Sequence, residues 1–578
     1  MGNSPLKGRS IIRDWFSLLC LAVLGAAVVS VMIVRLHAAP VPLERDEGEY
    51  AFMGQLILDG VPPYSEAANM KLPGIYYAYS AILTLFGQTA TGVHMGLMAV
   101  NLISTIILFL IARRLFGAAG GCMAGVAFVV TSADTSVLGL FAHATQFVVM
   151  FALAGIWLLQ ESFKSSLHLS GKGRAPSPQL HPQGRREIYK GKRRVYLLWG
   201  SGLCLGLALL MKQSGVFFAL FGFIWVVYEA FRSRPMVWKR FLLESGSLAA
   251  GIVMPYLAVL ALMAHQGVLD RFWFWTVDYA RSYASEVDLK IGAELFKLGI
   301  APIIMSNPVI WLMTLAGMIG IWFPASGRKA APFLLLFFLF SFLSVCPGLF
   351  FRQHYFVQLL PAAALYAGAA VWLLGEAAAK YTTRSGSLQF AALVAVTAFS
   401  LTSVFSMERA LAASTPDQFS RSVYGANPFP ESLKVADFIR KNTTSNDRIA
   451  VLGSEPQICF YAHRRSATEH IYMYGLMEPQ PFALRMQQEL IAQVEKSEPP
   501  FLVLATVSTS WLQRPESEKK LFFWLKDYIN HYYRPIMVAD IYSDVTLWLE
   551  GKEAESFTPG PGRGSSQLIV FKRKPPGN

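Results

Sequence analysis

The chain has 578 residues, of which 54% are hydrophobic and only 15% charged, with a mean hydropathy of +0.40 and a formal net charge of +14. Soluble globular chains carry about 25% charged residues, so this composition excludes an ordinary soluble protein. The positive charge does not point to nucleic acid: its densest run, at 164–194, lies in a Gly/Pro/Ser-containing loop between two apolar blocks, where basic residues orient a membrane protein and meet anionic lipid, and no nucleic-acid-binding motif accompanies it.

At the N-terminus, Lys7, Arg9 and Arg13 precede an apolar run to about Val34. A cleaved signal peptide ending at Ala38-Ala39 is the rival reading. The run exceeds the usual apolar region of such peptides, about 7–15 residues, and we read it as an uncleaved first span. Apolar runs near the length of a bilayer crossing predict eleven spans: 13–36, 90–112, 117–133, 136–160, 195–211, 214–231, 241–264, 298–323, 331–350, 356–376 and 388–407. The two short runs flanking Lys212-Gln213 are expected to be tilted or partly re-entrant. Lys and Arg concentrate in the N-terminal tail, at Arg113-Arg114, in the 161–194 loop, at 232–240, at Arg328-Lys329, and at Lys380 and Arg384. The positive-inside rule then puts the N-terminus in the cytoplasm, and an odd number of spans puts the C-terminal tail outside. The expected domains are a transmembrane domain over 1–407, with a long outer loop at 37–89 and a cytoplasmic basic loop at 161–194, and an extracytoplasmic domain over 408–578.

The outer loop contains Arg45-Asp46-Glu47-Gly48-Glu49-Tyr50. If 46–58 are helical, Asp46, Glu49 and Tyr50 share one face, while Glu47 points elsewhere and can cap or orient. The helix dipole alone also favours such carboxylates at a helix N-terminus. Farther on, Asp59-Gly60-Val61-Pro62-Pro63-Tyr64 reads as a turn, and Lys71 lies just outside the membrane, where a lipid phosphate would be; snorkelling accounts for it equally well. Lys212-Gln213 and the 351–358 stretch, with Arg352, His354, Tyr355 and Gln358, sit at the outer ends of other spans. Carboxylates, cations and polar aromatics thus gather on one face. Sugar transfer from a polyprenyl phosphate needs these parts: a carboxylate to take the acceptor proton, cations for the departing phosphate, and aromatic and amide groups for the sugar.

Beyond Met407 the composition is that of a soluble domain. A helical pattern covers 430–441, strand-like runs lie at 449–453, 501–505, 545–549 and 568–571, and 522–533 reads as helix, which together make a small α/β domain. The 559–564 Pro/Gly stretch lacks the strand–loop–helix context of a phosphate-binding motif. The five cysteines show no CxxC spacing, so neither a disulfide framework nor a zinc site is indicated. A transporter or lipid flippase is the alternative reading. It requires ionisable residues along the spans, and only Asp134, His143, Lys212 and Glu244 are candidates; no internal repeat is visible either. A non-catalytic assembly or sensor protein is a third reading.

Several motifs resemble a known family. The runs 46–51, 58–64 and 70–74 (DEGEYA, LDGVPPY and MKLPG) are similar to the first outer loop of bacterial GT-C glycosyltransferases. These are relatives of dolichyl-phosphate-mannose–protein mannosyltransferases, of the lipid A aminoarabinose transferase and of lipopolysaccharide-core galacturonosyltransferases. The runs 210–215, 354–361, 435–440 and 453–457 resemble later parts of the same family, and the likeness covers about 40–475. It implies a mostly α, polytopic GT-C fold in a bacterial inner membrane, with a periplasmic α/β tail. It also implies a glycosyltransferase that uses a polyprenyl-phosphate-linked sugar, with a glycan, lipid or protein acceptor and with membrane lipids, not nucleic acid, as partners. Asp46 maps to the family's catalytic aspartate and Glu47 completes its acidic pair, which makes these two the candidate catalytic residues. Lys71 maps to the lysine that meets the donor phosphate, although Leu72 stands where one proline of that motif belongs. Lys212, Gln213, Arg352, His354, Tyr355 and Gln358 are the further candidates for binding donor phosphate or sugar, with Glu49, Tyr50 and Tyr64 in support. A glutamate common near the fourth span of bacterial members is replaced by Gln146. Some GT-C enzymes use a divalent metal ion and others do not, and no His/Cys cluster in the sequence decides the question.

Overall fold

The computed structural model describes residues 5–163, 183–232, 236–283, 287–560 and 562–575, with side chains from 15 onward except those of 183–190 and 283. Most of the predicted basic loop at 161–194 therefore lies outside the described residues, as does Pro561 of the 559–564 loop. The chain divides into two compact units, one of residues 1–37, 97–259 and 286–409, the other of residues 38–96, 260–285 and 410–578.

The first unit contains the long apolar helices. Among the described residues of the chain, eight helices are long and apolar enough to cross a membrane, or up to nine if a bent pair counts as one span, and the protein is a multi-pass membrane protein. The predicted spans 90–112 and 117–133 fall in a single helical segment, Ala90–Thr131, broken at Gly117 (φ 75°, ψ −167°). Unbroken, its 42 residues would extend about 63 Å, twice the hydrocarbon core of a bilayer. A Cβ on Gly121 would lie 2.8 Å from the Cα of Arg113, so the chain can fold back at this break only because glycine stands there. The predicted span 298–323 is not a straight helix. Leu289–Ser306 and Pro308–Gly320 meet at 104°, because Pro308 disfavours the α conformation at the preceding Asn307 (φ −146°, ψ 66°). Around Lys212 the chain is extended before a 3-10 turn at Gln213–Gly215 and the helix Val216–Arg232, so the two short spans are separated by a break in the backbone.

In the second unit, six strands form one sheet: β1 Arg448–Leu452, β2 Arg465–Ser466, β3 Phe501–Ala505, β4 Tyr533–Ile541, β5 Thr546–Glu550 and β6 Ser566–Arg573. Their order is β2-β1-β3-β6-β4-β5, with β1 parallel to β2 and β3 and the remaining pairs antiparallel. β1 and β3 are almost wholly buried, as their unbroken apolar sequence requires. The sequence did not suggest β4, which contains Pro535; the register slips between Pro535 and Met537, and this irregularity accommodates a residue with no N–H to give. The 37–89 segment, read from sequence mainly as a loop, holds two helices, Arg45–Leu58 and Gly74–Phe86. They approach closely at Gly54, where a Cβ would lie 2.9 Å from Ser80 N. The first of them also packs against the tail helix Gln457–Ala462: a Cβ on Gly48 would come within 2.6 Å of Gln457 Cβ.

Candidate active site

The N-terminus of the helix Arg45–Leu58 is fixed by its own acidic residues. Glu44 is the N-cap; its Oε1 accepts from Glu47 N at 2.9 Å, and Glu47 Oε2 accepts from Glu44 N at 3.2 Å, a reciprocal capping box. The other oxygen of Glu47 lies 3.0 Å from His94 Nε2, and His94 Nδ1 lies 2.9 Å from the carbonyl of Ala39. A carbonyl only accepts, so Nδ1 carries a proton, and the Nε2–Glu47 contact holds a second proton between the two side chains.

As the spacing predicts, Asp46, Glu49 and Tyr50 face one way, and all three meet Lys71. The Lys71 ammonium donates to Asp46 Oδ1 at 3.0 Å and to Glu49 Oε2 at 2.9 Å, and lies 4.6 Å from the centre of the Tyr50 ring. Asn69 Nδ2 and Tyr76 OH also donate to Glu49, each at 2.8 Å, and Tyr64 OH donates to the Lys71 carbonyl at 2.6 Å. Tyr64 itself is buried and holds a left-handed backbone (φ 65°). Burial pushes the Glu49 carboxyl above the ordinary range and the Asp46 charge adds to this, while Lys71 opposes it. Burial also works against the Lys71 ammonium, but Asp46, Glu49 and Tyr50 outweigh it and keep Lys71 protonated well above the ordinary lysine range. Exposure separates the carboxylates: the side chains of Glu47 and Glu49 are fully buried, whereas Asp46 and Lys71 remain 15% and 14% exposed. Asp46 and Lys71 are therefore the members of the cluster that solvent reaches.

The tail supplies residues that sequence reasoning did not select. Tyr472 OH donates to Asp46 Oδ1 at 2.8 Å. Beside Asp46, Arg45 points into the tail. Its guanidinium donates to Ser454 O and Glu455 Oε1 at 2.6 Å each, to Asn427 Oδ1 at 3.1 Å and to Tyr474 OH at 3.2 Å. Gln457 Nε2 donates to the second oxygen of Glu455 at 2.7 Å. The run 453–457 was a visible signal for this contact; nothing in the sequence singled out Tyr472, His94 or Tyr76.

The first unit has a polar cluster of its own, made of candidates from several span ends. Lys212 Nζ lies 3.6 Å from the Tyr355 ring centre, and Ser214 donates to Gln358 Oε1 at 2.8 Å. The His354 ring stacks on His143 at 4.0 Å, and the His354 carbonyl accepts from Thr145 at 2.9 Å. Arg352 opens the 3-10 segment Gln353–Gln358 with its guanidinium 5.5 Å from the Phe350 ring, and Gln213 lies in the turn after Lys212. Gln146 is buried with no hydrogen-bond partner for its amide nitrogen. Two ionisable residues that could have marked a transport path are engaged locally: Asp134 caps a 3-10 turn, and Glu244 is paired with Arg194 and Arg240.

The fold is similar to that of ArnT from Cupriavidus metallidurans bound to undecaprenyl phosphate, with a TM-score of 0.57 and 14% identity over 95% of this chain and 97% of that one. It is also similar to the archaeal oligosaccharyltransferase AglB from Archaeoglobus fulgidus in complex with an inhibitory peptide and a dolichol-phosphate, with a TM-score of 0.52 and 12% identity over 96% of this chain and 76% of that one. Both are glycosyltransferases of the GT-C class, and this chain has the GT-C fold: mostly helical and polytopic, with a small C-terminal sheet domain. No protein-family model matches the sequence, and no curated protein matches it.

Proposed function

We propose that the protein is a membrane glycosyltransferase that moves a sugar from a polyprenyl-phosphate-linked donor to an extracytoplasmic glycan, lipid or protein. The observation that carries this reading is the partly exposed Asp46–Lys71 pair, held at 3.0 Å on a GT-C fold. The neighbours bound to undecaprenyl phosphate and dolichol-phosphate support the donor class. In the reaction, the acceptor hydroxyl oxygen bonds to the anomeric carbon, the bond from that carbon to the phosphate oxygen breaks, and the polyprenyl phosphate leaves with the bond electrons. Asp46 takes the hydroxyl proton. The Lys71 ammonium faces the charge that grows on the departing phosphate. Glu49 and Glu47, both fully buried, position these two groups: Glu49 holds Lys71, and Glu47 fixes the start of the helix that carries Asp46. Lys212, Gln213, Arg352, His354, Tyr355 and Gln358, all in the first unit, are the further candidates for binding donor phosphate or sugar. In this reading the N-terminus is cytoplasmic, residues 1–407 form the transmembrane domain of a bacterial inner-membrane protein, and 408–578 lie on the periplasmic side.

Asp46→Asn tests the assignment. The amide oxygen can still accept from Lys71 and Tyr472, so the fold and membrane insertion are retained while the base is lost. Envelope glycolipids and glycoproteins are compared by mass spectrometry in cells that lack the gene and carry either the wild type or the variant. The expected outcome is a fall of about 10²- to 10⁴-fold in the transferred sugar. Wild-type levels of modification by a normally inserted Asp46→Asn variant would overturn the assignment.

A further inference from the structure

We propose that Glu469, His470 and Glu489, in the second unit, form a binding site for a divalent transition-metal cation, for which Zn²⁺ is the best match. One donor atom from each residue lies within 4.8 Å of the other two, and His470 Nε2 stands 3.3 Å from Glu489 Oε2. Two donors bound at about 2.0–2.1 Å to a tetrahedral zinc are about 3.3–3.4 Å apart, so this pair already has the spacing of two ligands of one ion.

His470 gives the independent reason to expect a ligand. Its side chain is 1% exposed, and among the described residues neither ring nitrogen has a well-formed hydrogen bond: Nε2 meets the Glu489 carboxylate at 3.3 Å, and Nδ1 has no hydrogen-bond partner. An unsatisfied buried polar group costs about 1–3 kcal/mol, and coordination would satisfy the nitrogen that faces the carboxylates. The imidazole is held in place by the edge of Trp275, with ring centres 5.8 Å apart, and by a backbone bridge to Ala68, whose N–H donates to the Glu469 carbonyl at 3.0 Å.

The surroundings are those of a supported metal site. Gln493 donates to one oxygen of Glu469 at 2.9 Å and Arg271 to the other at 3.1 Å, while Arg485 pairs with the far oxygen of Glu489 at 3.2 Å. A carboxylate has about four lone-pair sites, so these contacts orient the ligands without using them up. Both arginines are about half exposed, and their charges are screened by water. Glu489 is 38% exposed, which leaves an entry path and room for water as the fourth ligand. A bound ion would join the Glu469-His470 segment to the helix Ala483–Ser497. It would thereby fix the short stretch that ends in Tyr472, the residue that donates to Asp46.

The test does not depend on transferase activity. The full-length protein is purified in detergent, stripped with a chelator and titrated with Zn²⁺ alone by calorimetry, with bound metal counted by mass spectrometry. His470→Ala and Glu489→Gln are compared with the wild type; the second is a part-exposed position where the fold is retained. The wild type should hold one more equivalent of Zn²⁺ than either variant, or bind that equivalent about 100-fold or more tightly. Zn²⁺ should also raise its unfolding temperature more than theirs. Equal stoichiometry, affinity and thermal shift in wild type and variants would overturn the proposal, as would a wild type that binds no Zn²⁺.

Discussion

Replacing Arg45 with methionine removes a guanidinium that makes four hydrogen bonds into the tail, two of them at 2.6 Å. Arg45 and Glu455 are 9% and 0% exposed, so the change leaves a carboxylate buried with Gln457 as its remaining side-chain donor. Burial disfavours the guanidinium, but Glu455, Tyr474 and Tyr472 more than compensate and keep Arg45 charged. Breaking one side of such a buried pair costs about 3–5 kcal/mol. That is below the roughly 5–15 kcal/mol of a typical domain, so the effect should be local opening of the contact rather than loss of the fold. At about 1.36 kcal/mol per tenfold change, amide exchange in peptides covering 43–50 and 453–459 should speed up roughly 10²- to 10⁴-fold, as read by hydrogen–deuterium exchange mass spectrometry. Adding Glu455→Gln removes the stranded charge, so the double variant should be more stable than the sum of the single effects by about 2 kcal/mol. A less than tenfold change in exchange for R45M, or strict additivity of the two substitutions, would show that the contact does not hold the tail to the helix.

Two further changes probe the same unit. Gly48→Ala would force a methyl to 2.6 Å from Gln457 Cβ and 2.8 Å from Gln457 N, and should destabilise the unit by about 1–3 kcal/mol in denaturant titrations; an unchanged midpoint would mean that the two helices can move apart freely. The His463 imidazolium is disfavoured by burial and then by Arg440 and Arg464, so its pKa in the folded state lies below the ordinary value of 6.5. The unfolded chain therefore takes up its proton first as pH falls. The stability this gives is present above about pH 6.5 and is lost as pH drops through the folded-state value. The unfolding temperature should decline from pH 7.5 to 5, and His463→Asn, which tolerates the left-handed backbone at this position (φ 52°), should flatten that decline.

Local sequence pattern accounts for what could be read in advance. Asp46, Glu49 and Tyr50 could be placed on one face because helical spacing fixes that relation within a single turn. β1, β3 and β6 showed themselves as continuous apolar runs. The helix Gly74–Phe86 was missed because its 13 residues are too few for a span and it follows a turn-rich stretch. Lys71 fitted either a snorkelling side chain or a site residue, and nothing local in the sequence shows its ion pairs with Asp46 and Glu49. The contacts of Tyr472 with Asp46 and of Arg45 with Glu455 join residues 426 and 410 positions apart, and no periodicity reports on pairs so distant. The Glu469–His470–Glu489 group was likewise hidden, because its third member comes from a separate helix.

The composition of the second unit from residues 38–96, 260–285 and 410–578 bears on how the protein is made. Arg45 leaves the ribosome 410 residues before Glu455. At about 5–20 residues per second, the early helix waits roughly 20–80 s for its counter-charge. Throughout that interval Asp46 lacks the hydroxyl of Tyr472, and the glycine face that receives Gln457 stays uncovered. A nascent or prematurely terminated chain can thus insert its apolar helices and still present an incomplete carboxylate cluster. Completion of translation is thus built into the assembly of the carboxylate cluster.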